Sequence, residues 1–140
     1  MIDPEPTARI GVLTVSDRAS RGEYSDRAGP AIREYLAEVL TSPWEAIGRV
    51  VPDEVDQVED ALRELSADEG CCLVVTTGGT GPAQRDVTPE ATRRVLDKEA
   101  PGLADAIRRQ GLPETPTAVL SRGLAGSRGR TFVANFPGSP

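Results

Sequence analysis

The loop from Thr76 to Asp86 concentrates the residue types of this chain that are best suited to binding a phosphate group. Three glycines, three threonines, one arginine and one aspartate lie within these eleven residues. Glycine lets a ligand approach the backbone closely, and successive backbone N–H groups can form a concavity that binds anions. The loop has neither the Gly-Lys-Ser/Thr end of a Walker A loop nor a GxGxxG with an immediate helix. The residues alone therefore also allow an ordinary strand-to-helix turn.

Aspartates are the second chemical feature of the pattern. Asp17 follows the first apolar run, Asp53 follows the second, and Asp86 lies in the glycine-rich loop after the third. Carboxylates are suitable ligands for Mg²⁺, and the planar fork of arginine suits phosphate. Asp53 has a competing interpretation, because an aspartate between a strand and a helix is also a favourable N-cap. The arginines in or near glycine-rich segments, which could supply local positive charge, are Arg18, Arg21, Arg85, Arg122, Arg128 and Arg130.

The spacing of apolar residues predicts the elements that position these loops. Short apolar, β-branched runs that end in polar or glycine-rich turns predict strands at Arg9–Val15, Trp44–Val51, Cys72–Val75 and Thr131–Phe136. Three- and four-residue periodicity predicts helices at 27–40, from Val55 to a stop at 68–70, at Thr88–Glu99 and at Leu103–Gln110. Thr88 is the predicted N-cap of its helix, with Pro89 at the first helical position.

The alternation of strands and helices predicts an α/β fold with a mostly parallel central sheet and helices on both faces. The loops after the strands, at 16–26, 52–53, 76–87 and 137–140, would gather at the carboxyl edge of the sheet. Ligands of open α/β sheets bind at that edge. The pattern as a whole, more than any one motif, therefore predicts a ligand site.

Length and composition predict a single domain over 1–140, with a flexible lead-in at 1–8. The absence of histidine excludes histidine-dependent triads and histidine-ligated metals, and the net charge of −6 argues against general binding to a nucleic-acid backbone. No apolar run approaches the roughly 18 residues needed to span a bilayer, and no signal peptide is recognisable at the N-terminus. Adjacent Cys71 and Cys72 would point to opposite faces of a strand, which predicts buried free thiols in a reducing cytoplasm.

Five segments, in order between residues 9 and 140, resemble the MogA/MoaB-type molybdopterin adenylyltransferases of molybdenum-cofactor biosynthesis, which are related to the gephyrin G domain. They are SDRASRGEYSD, VPDE, TTGGTGPAQRDVTPEAT, LSRGLAG and NFPGSP. The resemblance implies a three-layer αβα sandwich that forms a homotrimer. It also implies the transfer of AMP from Mg-ATP to the phosphate of molybdopterin, with possible handover of the product to a molybdenum-inserting enzyme.

The resemblance also assigns site residues. The catalytic aspartates and Mg²⁺ ligands of the family fall on Asp53 and Asp86. The residues that bind substrate and phosphate fall on Ser16, Asp17, Thr77, Gly78, Gly79, Thr80, Gly81, Pro137, Gly138 and Ser139. Because the family continues past PGSP, the resemblance implies that a C-terminal helical tail is missing from the printed chain.

Two other functions remain open at this point. The chain could be a non-catalytic carrier or scaffold that binds molybdopterin, as in MoaB-like proteins. It could also bind a nucleotide or sugar phosphate for other chemistry, as in the competence-damage-inducible proteins that share the fold. The pattern does not decide between molybdenum and tungsten, or which aspartate contacts Mg²⁺ directly.

Overall fold

A computed structural model of the chain describes residues 7–138. Most of the lead-in predicted for residues 1–8 lies outside the described residues, and Ala8 already belongs to the first strand. The strands are β1 Ala8–Val15, β2 Trp44–Val51, β3 Leu73–Thr77, β4 Lys98–Glu99, β5 Ala125–Arg128 and β6 Thr131–Phe136. The helices are α1 Asp17–Ser20, α2 Ala28–Val39, α3 Val55–Arg63, α4 Thr88–Val95 and α5 Pro101–Gly111. A π-helical turn, Glu64–Asp68, extends α3, and a 3-10 helix, Pro116–Leu120, follows α5.

The six strands form one sheet in the order β2-β1-β3-β6-β5-β4. The first four are mutually parallel, whereas β5 and β4 run antiparallel to their neighbours. Thr77 at the end of β3 is in register with Thr14 of β1 and Phe136 of β6, and Val15 is in register with Val51. The carboxyl ends of the four parallel strands therefore lie along one edge, which confirms the predicted mostly parallel sheet.

Helices cover both faces of this sheet, which confirms the three-layer arrangement. On one face, Val74 and Val133 pack with α3 and α4 in the main hydrophobic core. On the other face, Val75 and Ala134 face α2 and α5. Successive strand residues point to opposite faces, so β3 and β6 contribute to both layers. An apolar cavity of about 470 Å³ separates α2 from α5 above these two strands.

The predicted boundaries of α4 are wrong at both ends. The N-cap is Val87, and Thr88 is the first helical residue, because its buried hydroxyl donates a hydrogen bond to the Gly78 carbonyl, 2.9 Å away, instead of capping the helix. The helix ends at Val95, because Lys98 and Glu99 form the short edge strand β4 against β5.

Strand β5 is absent from the prediction, which treated Ala125–Arg128 as part of a glycine-rich connection. Its four residues include Gly126, where a Cβ would collide with the Lys98 carbonyl, so glycine allows β4 and β5 to approach closely here. Gly129, at a φ of 57°, and Arg130 form the two-residue turn into β6. A strand so short and so poor in apolar residues produces no recognisable pattern.

The two cysteines form no disulfide, as expected, but both precede β3, which begins at Leu73. Cys71 is buried, but Cys72 is exposed, so the expectation that both thiols are buried is wrong for Cys72. No helix within residues 7–138 is long and apolar enough to cross a membrane.

Candidate functional site

The loops after β1, β3 and β6 meet at the carboxyl edge of the sheet. The Gly78 N–H donates to the Phe136 carbonyl at 3.1 Å, and the Thr77 hydroxyl donates to the Pro137 carbonyl at 2.9 Å. A Cβ on Gly138 would lie 3.3 Å from the Gly78 Cα, so the two turns are in contact. The structure therefore brings the predicted glycine-rich loop and the predicted PGSP turn together. Ser139 of that turn lies outside the described residues.

Two glycines allow the loop after β3 to turn away from the sheet. Gly78 and Gly79 have φ angles of 96° and 68°, which side chains rarely tolerate. A Cβ on Gly78 would collide with the Val15 carbonyl, and one on Gly79 would collide with the Thr88 hydroxyl. Thr88 holds this conformation from both sides, because its N–H donates to the Gly79 carbonyl and its hydroxyl to the Gly78 carbonyl.

The same loop presents backbone donors without protein partners. Within residues 7–138, the N–H groups of Gly79, Thr80 and Gly81 donate no hydrogen bond to a protein acceptor. Consecutive free N–H groups next to glycines in left-handed conformations form the kind of concavity that binds anions. This arrangement favours a phosphate-binding loop over an ordinary strand-to-helix turn.

Asp53 and Asp17 join the loops after β2 and β1 through reciprocal hydrogen bonds. The Asp17 N–H donates to Asp53 Oδ2 at 2.9 Å, and the Asp53 N–H donates to Asp17 Oδ1 at 3.0 Å. Arg85 then binds both carboxylate oxygens of Asp17, at 3.1 and 2.9 Å, and reaches Glu54 at 3.1 Å. Asp53 is not the N-cap of α3, since that position is Glu54 and no side chain caps the helix there.

The two linked aspartates have opposite pKa shifts. Burial raises the pKa of Asp53 above its usual value of 3.8, and the nearby charges of Asp17 and Asp86 add to this effect. The hydrogen bonds from Arg85 lower the pKa of Asp17. Asp17 is therefore a stable anion that arginine neutralises, whereas Asp53 has less compensation for its charge. A bound cation would therefore stabilise the ionised form of Asp53 more than that of Asp17.

The Asp86 carboxylate, at the end of the glycine-rich loop, folds back towards Gly81. Its Oδ2 accepts the Ala83 N–H at 3.1 Å and would lie 2.8 Å from a Cβ on Gly81. Asp53 Oδ1 would lie 3.1 Å from a Cβ on Gly79. Asp53 and Asp86 thus border the same short stretch of backbone, and each keeps one oxygen, Oδ1, that accepts no hydrogen bond from the described residues.

Several of the predicted substrate-binding groups have structural partners. The Ser16 hydroxyl accepts the Ala19 N–H at 3.2 Å and caps α1, a single helical turn inside the segment predicted as a loop. The side chains of Thr77 and Thr80 are almost completely buried. These residues shape the edge of the site, while the free donors and acceptors belong to Gly79–Gly81, Asp53 and Asp86.

The arginines expected to supply positive charge are mostly engaged elsewhere. Arg18 lies over the ring of Tyr24, and Arg21 pairs with Glu23. Arg128 lies at the opposite, amino edge of the sheet, where it donates to Ser66 and Val95, and Arg130 is in the turn beside it. Arg85 lies in the glycine-rich loop and pairs with Asp17 and Glu54. Arg122 pairs with Glu90 and reaches the loop by donating to the Gly81 and Asp86 carbonyls.

Sequence analysis did not assign the observed roles of three residues that shape this site, because it named Thr88 only as an N-cap and Arg122 only as a positive charge, and it did not single out Asn135. Thr88 holds the glycines, Arg122 crosses to the loop from the segment before β5, and Asn135 lies beneath the loop. The Asn135 amide donates to the hydroxyls of Thr76 and Thr92 and accepts the Leu124 N–H. Only Arg122 left a signal, as an arginine in a glycine-rich segment.

The carboxylates fit Mg²⁺ only as partial ligands. No group of three or more Asp, Glu, Cys or His side chains within residues 7–138 converges on one point. Mg²⁺ is commonly bound by one or two carboxylates together with substrate phosphates and water. The unpaired oxygens of Asp53 and Asp86 and the raised pKa of Asp53 are compatible with such a shared site.

The fold and site define an α/β domain that presents a glycine-rich loop with free backbone N–H groups next to two carboxylates. The sequence pattern described as "Probable molybdopterin binding domain" matches residues 11–140. The match covers most of the chain, which belongs to this family.

Named relatives agree with this assignment. A molybdopterin adenylyltransferase from Helicobacter pylori is 49% identical over 134 residues, which are 96% of this chain and 76% of that protein. The crystal structure of the molybdopterin biosynthesis enzyme MoaB from Thermus thermophilus superposes with a TM-score of 0.86 at 52% identity, covering 96% of this chain and 83% of that one. The tungsten cofactor synthesizing protein MoaB from Pyrococcus furiosus is 37% identical, with a TM-score of 0.81, 98% coverage of this chain and 85% of that one.

Proposed function

We propose that this chain adenylylates molybdopterin in molybdenum-cofactor biosynthesis, using Mg-ATP as the AMP donor and releasing pyrophosphate. The observation that carries the proposal is that the carboxylates of Asp53 and Asp86 lie next to Gly79 and Gly81, whose N–H groups are free within residues 7–138. This arrangement can hold a polyphosphate and its counter-ion together. The names of the relatives support the same reaction.

The chemistry requires positioning more than covalent participation by the protein. An oxygen of the molybdopterin phosphate attacks the α-phosphorus of ATP, and the bond to pyrophosphate breaks. A phosphate monoester is largely ionised near neutrality, so the attacking oxygen needs no general base. The residues of the chain therefore have to orient two anionic groups and to reduce the repulsion between them.

We assign the roles from the backbone N–H groups and carboxylate oxygens that have no hydrogen-bond partner among the described residues. The N–H groups of Gly79, Thr80 and Gly81 bind phosphate oxygens, and Gly138 permits the close approach of the neighbouring turn. Asp53 and Asp86 would hold Mg²⁺, which would neutralise charge that develops on the phosphates. Asp17 acts on Asp53 through their reciprocal hydrogen bonds. Thr77, Gly78 and Pro137 shape the pocket, as does Ser16, and Ser139 remains a predicted phosphate ligand.

The test is a turnover assay with molybdopterin, ATP and Mg²⁺ that detects adenylyl-molybdopterin and pyrophosphate. We expect product only when Mg²⁺ is present. Asp86→Asn and Asp53→Asn should each lower turnover by about 100-fold or more, because each removes a carboxylate charge that would hold the Mg²⁺ counter-ion. Binding of molybdopterin should largely survive both substitutions.

Asp56→Asn is the matched control, because Asp56 lies in the first turn of α3 with a side chain that is 93% exposed. It should have the turnover of the wild type. Molybdopterin binding without product would indicate a carrier or scaffold instead. Nucleotide binding without affinity for the pterin would indicate other chemistry on the same fold.

We also propose that the chain is a single domain that acts as a homotrimer in the cytoplasm and passes its product to a molybdenum-inserting enzyme. Exposed apolar side chains on the helical surface, such as Tyr35, Val39 and Val119, support self-association. Light scattering should give three times the chain mass of 14.8 kDa, whereas a monomeric mass would contradict the trimer. The two free thiols are compatible with a reducing compartment.

A further inference from the structure

Arg122 connects the glycine-rich loop to a part of the chain that is distant in sequence. Its backbone N–H donates to the Thr80 carbonyl at 2.8 Å. Its guanidinium donates from Nε to the Gly81 carbonyl at 3.0 Å and from Nη2 to the Asp86 carbonyl at 2.9 Å. The same guanidinium forms a two-oxygen ion pair with Glu90, at 2.6 and 3.2 Å.

These contacts use four of the five guanidinium N–H groups. Arg122 is therefore poorly suited to bind a substrate phosphate directly, which is the role that its place in a glycine-rich segment suggested. Its main acceptors are two backbone carbonyls, and these stand on either side of the segment 82–85. The contacts of Arg122 thus bear on the conformation of the loop.

Segment 81–86 has few other attachments that could fix its position. Its internal hydrogen bonds join Ala83 and Asp86 through the backbone and through the Asp86 carboxylate. Arg85, in the middle of the segment, attaches it through its side chain to Asp17 and Glu54. Of the side chains outside this segment that the structure describes, Arg122 is the one that donates to its carbonyls. Arg85 thus anchors a side chain of the segment, whereas Arg122 holds its backbone at Gly81 and Asp86.

Glu90 attaches the Arg122 guanidinium to helix α4. It lies in the first turn of α4, whose neighbouring residues Pro89 and Ala91 are buried. The hydrogen bonds from Arg122 lower the pKa of Glu90, so the pair stays ionised near neutrality. The guanidinium is thus fixed to a packed helix on one side and to the loop on the other. Movement of segment 81–86 relative to α4 would break at least one of these bonds.

We propose that Arg122 is a positioning residue that holds the backbone on both sides of segment 82–85. It thereby fixes the Asp86 carboxylate, which would hold Mg²⁺, and directs the Gly81 N–H at the bound phosphates. The inference rests on the proposed adenylyl transfer for its effect on rate. Arg122 acts through Asp86 and the loop, and makes no contact with substrate. A displacement of about 1 Å at reacting groups can cost on the order of 100-fold in rate.

The test compares Arg122→Gln with Arg93→Gln. Arg93 also pairs with an acidic side chain, Glu99, and it lies on α4 without touching the loop. We expect Arg122→Gln to lower kcat by about 10- to 100-fold with a smaller change in the KM for ATP, because it disturbs alignment more than binding. Arg122→Lys should recover only part of the activity, since one ammonium cannot span both carbonyls and Glu90.

Hydrogen exchange of peptides that cover residues 79–87 is the second readout, and it does not require activity. Exchange should be faster in Arg122→Gln than in the wild type and unchanged in Arg93→Gln. Glu90→Gln should have a weaker effect in the same direction, because it removes the charge that holds the guanidinium. This variant also preserves the test if Arg122→Gln does not fold.

The outcomes separate this inference from the proposed function. A raised KM for ATP with an unchanged kcat would identify Arg122 as a direct substrate ligand and overturn the proposal. Exchange and turnover equal to those of Arg93→Gln would overturn it as well. If the wild type has no turnover, the adenylyl transfer fails as a proposal. Exchange that is faster only in the Arg122 and Glu90 variants would then still support the attachment of the loop, and unchanged exchange would refute it.

Discussion

At Gly79 the backbone has a φ of 68°, and a Cβ would collide with the Thr88 hydroxyl and lie 3.1 Å from Asp53 Oδ1. We predict that Gly79→Ala lowers the free energy of unfolding by about 1–3 kcal/mol, because a side chain in this region is strained. The substitution should also reduce turnover, since Thr88 or Asp53 must move to make room for the added Cβ. Thermal unfolding and the adenylylation assay measure the two effects.

Gly22→Ala separates backbone strain from damage to the site. Gly22 has a similar φ of 73°, but a Cβ added there would meet no atom within 4 Å. This variant should therefore lose stability while it keeps normal turnover. Equal losses of turnover in both variants would show that the contacts of Gly79 with Thr88 and Asp53 do not matter for the reaction.

At the scale of elements, the strands with strong apolar patterns were predictable. The predicted bounds of β2 and β6 match those of the structure, and β1 begins one residue earlier than predicted. Each combines β-branched residues with a polar or glycine-rich end, so local sequence is sufficient. β4 and β5 were not predictable, because both are short and form only through pairing, β4 with β5 and β5 with β6.

The helix α4 shows why part of the site was hidden from the sequence. Its buried face contains Thr88 and Thr92, which an apolar pattern cannot identify. Thr92 is buried because the Asn135 amide, 43 residues away in the chain, donates to its hydroxyl. Buried polar groups of this kind need partners, and the partners are visible only in the folded chain.

The candidate site, too, was predictable in part. The gathering of Asp17, Asp53 and Asp86 at one edge followed from the order of strands and helices. The different roles of Asp17 and Asp53 could not be predicted, because they depend on reciprocal hydrogen bonds and on Arg85. Likewise, the position of Arg122 in the sequence suggested a phosphate ligand, whereas its contacts are with loop carbonyls.

At the scale of the whole molecule, the pH dependence of stability should arise from acidic groups. The chain has 22 Asp and Glu residues and no histidine, so no side chain is expected to titrate near neutrality without a shifted pKa. Asp53 and Asp17 have shifts of opposite sign, so their contributions to stability should change with pH in opposite directions.

Asp53→Asn should stabilise the protein at neutral pH even though it should abolish most turnover. The native pKa of Asp53 is raised above 3.8, so the native state binds more protons than the unfolded state as pH rises from that value through the native pKa. Stability is therefore lost over this range, because ionised Asp53 is buried without full compensation. The substitution removes that cost, and its benefit should disappear below about pH 3.8.

Asp17→Asn is the opposing case in the same set of thermal unfolding curves, recorded from about pH 3 to about pH 8. The native pKa of Asp17 is lowered by Arg85, so its contribution is present above 3.8 and lost as pH falls through the native pKa. Asp17→Asn should thus unfold at a lower temperature than the wild type at neutral pH, and the difference should shrink in acid. A lower unfolding temperature for Asp53→Asn at neutral pH would mean that the Asp53 charge is already balanced within the protein. Ionised Asp53 would then carry no unfavourable electrostatic free energy that a bound cation could reduce. The electrostatic argument for Asp53 as a Mg²⁺ ligand would fail.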